Sequence, residues 1–101
     1  MSLLEELHVV RHVLPLPRTM LVLEFEDHSV RVANLAPVAA EGGALGRLAE
    51  ADYFEAVRVD QEAGTVVWPD GVDIDPDVLY HLSSPVAAET LRRLILQALS
   101  A

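Results

Sequence analysis

Asp70, Asp73, Asp75 and Asp77 put four carboxylates on one short stretch of chain. Such a density could chelate a hard cation or supply acid–base pairs. A calcium-binding EF-hand loop needs glycine at its sixth position and a bidentate glutamate at its twelfth. Counted from Asp73, those positions hold Val78 and Ser84, and Pro76 stiffens the middle. The segment reads better as a turn leading into a helix. Pro76 suits a first helical position, and Asp75 or Asp77 can accept the free N–H groups of the first turn.

Other chemistry-bearing residues are sparse. His8 and His12 have the four-residue spacing that pairs two metal ligands on a helix, but Val9-Val10-Arg11 between them favours a strand. There the two rings stand about 13 Å apart. Ser29, Ser83 and Ser84 lack the Gly-x-Ser-x-Gly elbow, and Gly42-Gly43-Ala44-Leu45-Gly46 lacks the Lys-Ser/Thr of a phosphate loop. No cofactor or metal is expected. The alternative reading is a small metal- or ligand-binding enzyme using the Asp70–Asp77 cluster, with Asp70, Asp73 and His81 as its groups.

The elements that would position these residues are short. Residues 8–14 read as a strand broken by Pro15-Leu16-Pro17. Residues 19–25 form a second, with Leu21, Leu23 and Phe25 on one face. Residues 29–35 form a third, with Val30 and Val32 inward and Ser29, Arg31 and Ala33 outward. Glu26-Asp27-His28 makes a hairpin of the last two, with His28 at positive φ. Residues 36–40 suit one helical turn, ended by Gly42-Gly43, and a further turn is expected at Asp52. Residues 56–60 and 65–68 form a second hairpin, with Val66 and Trp68 sharing a face and Trp68 as core anchor. Ser84 and Pro85 read as the N-cap and first residue of a helix over 85–100. Its stripe of Ala88, Leu91, Ile95, Ala98 and Leu99 would cover the sheet, leaving Leu96 outside.

The fold class expected is therefore α+β: a mostly antiparallel sheet of about five strands with the C-terminal helix packed on one face. The 101 residues make a single domain, 51% of them hydrophobic, with no cysteine for a disulfide. No apolar run is long enough to span a membrane, and the start carries acids without a basic leader region. A cytoplasmic location is expected. The net charge is −9, and residues 41–80 hold ten acids against two arginines. With seven arginines, no lysine and no basic cluster, direct nucleic-acid binding is not expected. A basic protein partner is, because opposite charge steers encounter.

With these elements placed, Leu23-Glu24-Phe25-Glu26-Asp27, Phe54-Glu55-Ala56-Val57-Arg58-Val59-Asp60, Gly64-Thr65-Val66-Val67-Trp68-Pro69-Asp70-Gly71 and Asp73-Ile74-Asp75-Pro76-Asp77-Val78-Leu79-Tyr80 form a recognisable series. The chain resembles the bacterial domain of unknown function 2442 family over about residues 9–80. It departs from the family at His28, where glycine is usual, and in the C-terminal helix beyond the matched region. The resemblance implies a small α+β domain with no assigned catalytic residue. Some members are encoded beside a small partner and are proposed as the antitoxin half of a toxin–antitoxin pair. The expected function is thus a non-catalytic protein-interaction module, antitoxin-like, whose surface includes Asp70, Asp73, Asp75 and Leu96. A homodimer through an edge strand or Leu96 is a further expectation.

Overall fold

The computed structural model describes residues 8–100, and among them seven strands form two antiparallel sheets. The first sheet has the order β1-β2-β3-β7, from β1 (Val10–Leu16), β2 (Met20–Phe25), β3 (Val30–Asn34) and β7 (Ser83–Pro85). The second is β4-β5-β6, from β4 (Arg58–Asp60), β5 (Thr65–Trp68) and β6 (Val72–Asp73). Helices α1 (Ala36–Ala40), α2 (Ala51–Glu55) and α3 (Pro76–Leu82) connect them, and α4 (Ala88–Ser100) follows β7. The α+β class stands. The expected single five-stranded sheet is instead two sheets, because β5 pairs with β4 and β6 and not with the first sheet.

The core forms where one face of the first sheet meets the second sheet, α2 and α3. Leu21 and Leu23 are wholly buried there, with Phe25, Ala33, Leu48, Phe54, Val66, Trp68 and Leu79 beside them. The alternation expected in β2 holds. In β3 it is inverted: Leu21 pairs with Ala33 and Leu23 with Arg31, so Ala33 and Arg31 face the core while Val30 and Val32 turn to the other side. Cross-strand partners share a face, and the strong β2 pattern decides the weaker β3 one.

Strict alternation would put Val10 and Val13 on opposite faces. A register shift between Val10 and His12 inserts an extra residue, so Val10 opposes Phe25 and Val13 opposes Leu23, both on the core side. Pro15 does not end β1, which runs on to Leu16. As an edge strand β1 bonds on one side only, so a proline whose nitrogen faces outward loses nothing. Ser84 and Pro85 do not start the helix either. They extend the opposite edge as β7, Ser84 pairing with Val32 and Pro85 with Arg31, and α4 begins at Ala88. Backbone pairing on the open side of β3 outcompetes a cap that two residues of linker can forgo.

Helix α4 lies over the far face of the first sheet, with Leu94 and Ala98 across a groove from Leu16 and Met20. Leu91, Leu94, Ile95 and Ala98 are half-buried, whereas Leu99, expected in the covered stripe, is 78% exposed. Asp52 lies inside α2 instead of a turn, because Tyr53 and Phe54 on that helix enter the core.

The β2–β3 turn is as expected. His28 has φ of 71°, and Asp27 accepts the Ser29 N–H at 2.9 Å. The Ser29 hydroxyl and then its N–H hold the Asp27 carboxyl below the ordinary carboxylate range. An L-residue in this region carries about 1 kcal/mol of strain that glycine escapes. His28→Gly should therefore leave the melting temperature unchanged or raise it by a few degrees, read by thermal unfolding. A clear fall would mean that the imidazole makes a contact the turn needs. Gly64 (φ 70°) is different: a Cβ there would sit 3.3 Å from Val9, and its carbonyl accepts the Val10 N–H, tying the second hairpin to β1.

Candidate interaction surface

The Trp68-Pro69-Asp70-Gly71 segment is built into the fold. The Trp68 indole N–H donates to the Phe54 carbonyl at 3.0 Å, and the Tyr53 hydroxyl donates to the Pro69 carbonyl at 2.8 Å. Asp70, itself left-handed at φ 69°, pairs with Arg47 at 2.9 Å, and the Arg47 guanidinium lies 4.0 Å over the Tyr53 ring. One side chain thus clamps the turn and neutralises its first carboxylate. Asp70 is an ion-paired surface residue.

The remaining acids spread along β6 and α3. Asp73 is exposed on β6. Asp75 is the N-cap of α3, its carboxylate accepting the Asp77 N–H at 2.8 Å, and Pro76 opens the helix as expected. Among the described residues no group of three or more His, Asp or Glu converges closely enough to hold a metal ion. The residues of the enzymatic alternative are also drawn apart in their contacts. Asp70 serves Arg47, whereas His81 stands edge-on to Tyr80 and His8. His8 and His12 part company as well, the strand expected from residue 8 beginning only at Val10: His12 pairs with Glu24, and His8 stacks on Tyr80 at 3.8 Å.

Two features escaped the sequence. Arg31 reaches from β3 to donate to the Ser83 hydroxyl (2.8 Å), the Ser83 carbonyl (2.7 Å) and the Tyr80 carbonyl (3.2 Å), with its guanidinium 3.9 Å from the Tyr80 ring centroid. The only sequence signal was that Arg31 shares its alternation with Ala33 and Leu35, both of which are buried. The second is the outer face of α3. Val78 is 46% and Leu82 39% exposed, one helical turn apart, and Asp75 and His81 lie on the same side. Val78 belongs to the acid-rich residues 41–80, and Leu82 stands just past their end. Residues 41–80 hold ten carboxylates, whereas the first sheet and α4 carry five arginines against four acids over residues 8–40 and 81–100.

Leu96 is 55% exposed on α4, outside the half-buried stripe as expected. Both edges of the first sheet carry a proline, Pro15 in β1 and Pro85 in β7, which blunts them against strand addition.

Residues 10–85 match the family model described as Protein of unknown function (DUF2442). The chain belongs to that family. The match runs from the first residue of β1 to the last of β7, so the family unit includes both sheets and excludes α4. No curated protein and no solved structure gives a significant match to this DUF2442 chain. Among the described residues, no helix is long and apolar enough to cross a membrane.

Proposed function

We propose that this DUF2442 protein is a non-catalytic, cytoplasmic interaction module that takes a basic protein partner on the outer face of α3. The observation that carries this reading is the exposed Val78–Leu82 pair at the end of the acid-rich segment, with Asp75 on the same side of the helix. Apolar anchors inside a charged rim are the usual anatomy of a docking patch. The blunted edges of the first sheet point to a face in preference to an edge strand. The antitoxin-like role implied by family resemblance fits an acidic module with a small basic partner, and Leu96 on α4 is the matching position for self-association.

Steering by the acidic half makes association depend on salt. Raising salt from about 10 mM to 1 M shortens the screening length from about 30 to 3 Å. The association rate with a basic protein partner captured by pull-down should fall at least about tenfold over that range, measured by stopped-flow fluorescence. Asp75→Asn keeps a competent N-cap while removing one charge, so it should slow association without lowering stability. Val78→Ser with Leu82→Ser should instead speed dissociation by about tenfold or more. A rate indifferent to salt, with dissociation unmoved by the double variant, overturns the proposal.

A further inference from the structure

We propose that the groove between the β1–β2 hairpin and α4 binds a small aliphatic carboxylate, its head on Arg18 and its chain between sheet and helix. The groove encloses about 630 Å³, within the roughly 300–1,000 Å³ of small-molecule sites. Its walls are apolar, with Leu16 and Met20 on the sheet facing Leu94 and Ala98 on the helix. Three polar residues line it with them, Arg18, Asn34 and Gln97, of which Asn34 already accepts the Ala36 N–H through its side-chain oxygen. A mostly apolar cleft with a few placed polar groups is the usual composition of a ligand site.

The charge of the site argues for an anionic head. Arg18 is the one charged residue lining the groove, and among the described residues it has no carboxylate partner. The ion pairs among the described residues join His12 to Glu24 and Arg47 to Asp70. A guanidinium presents a planar fork that fits a carboxylate, and the two amides add donors beside it. The helix, for its part, has no fully buried residue. Its apolar stripe rests above the sheet with room left between, and an aliphatic chain supplies the missing contact area.

The turn that presents Arg18 is strained. Arg18 (φ 67°) and Thr19 (φ 58°) are consecutive left-handed residues in the three-residue loop between Leu16 and Met20, a conformation that Asn or Gly adopts at less cost. Threonine, being β-branched, is poorly suited to it. Strain of this kind gathers where a side chain must be aimed.

Decanoate is the probe, titrated into the whole protein by calorimetry and followed in parallel by thermal shift. Saturable binding is expected, with a rise in melting temperature, and decanol should bind about fivefold to tenfold more weakly for want of the charged head. Arg18→Asn separates ligand binding from structure. Asparagine tolerates the left-handed conformation better, so this variant should be at least as stable unliganded while losing the same fivefold to tenfold in decanoate affinity. Ala98→Leu, which fills the groove on a helix that accepts leucine, should abolish binding with the fold retained. Equal decanoate affinity in Arg18→Asn and the native protein overturns the proposal. So does the absence of saturable binding, or sedimentation with anionic phospholipid vesicles without binding of free decanoate.

Discussion

Trp68→Ala is expected to lower the unfolding free energy by about 3–5 kcal/mol, the usual cost of emptying a large aromatic site in a core. Trp68 is 1% exposed and ends β5, whose four residues are all buried. Its ring lies 5.9 Å from that of Phe54, and its N–H satisfies the Phe54 carbonyl at the end of α2. The alanine variant therefore opens a cavity and removes one of the hydrogen bonds to that carbonyl at once. Domains of this size hold about 5–15 kcal/mol, so a large share of the total is at stake. Trp68→Phe divides the effect. It keeps most of the apolar volume and should cost about 0.5–1.5 kcal/mol for the lost hydrogen bond, since the Phe54 carbonyl still accepts the Val57 N–H at 3.3 Å. Chemical denaturation of both variants reads the split, and a loss under 1 kcal/mol for alanine would place Trp68 at a surface instead of the core.

The second large effect is expected at Arg31. Arg31→Met keeps much of the aliphatic stem but removes three hydrogen bonds and the stack on Tyr80. Part-buried bonds from a charged donor contribute about 1.5–3 kcal/mol, and the cation–π contact about 1 more. A loss of about 2–4 kcal/mol should follow. Arg31→Lys should recover little, because a point charge cannot bridge Ser83 and Tyr80 while lying flat on the ring. Near-complete rescue by lysine would show that charge alone matters. The consequence reaches function, since Arg31 is what ties the C-terminal end of α3 to β3. Loosening it should blur the Val78–Leu82 face, weakening partner binding even where the protein stays folded.

The parts legible in the sequence are those governed by neighbours. Alternation in Leu21, Leu23 and Phe25, the positive φ at His28, the second hairpin and the Asp75-Pro76 helix start all rest on contacts within a few residues. The parts that were not legible depend on partners far along the chain. Arg31 looked outward because Val30 and Val32 flank it, and only the pairing of β3 with β2 sets its face. Ser84-Pro85 has the chemistry of a helix start, yet the open edge of β3, some fifty residues earlier, claims it as a strand. The candidate surface divides in the same way. Its acids could be counted, but Asp70 is taken by Arg47, and the apolar centre of the patch, Val78 and Leu82, looked like any helical pair.

The amino-acid sequence alone determined the α+β class, the acidic balance of residues 41–80 and the turn chemistry, because propensity, charge and backbone sterics act locally. Tertiary structure decided that there are two sheets, which face of β3 is buried, which carboxylate is paired and where a groove opens beside α4. Those outcomes come from competition among distant backbone edges and apolar faces. Each winner is chosen by the total surface it buries, a quantity that no single segment carries.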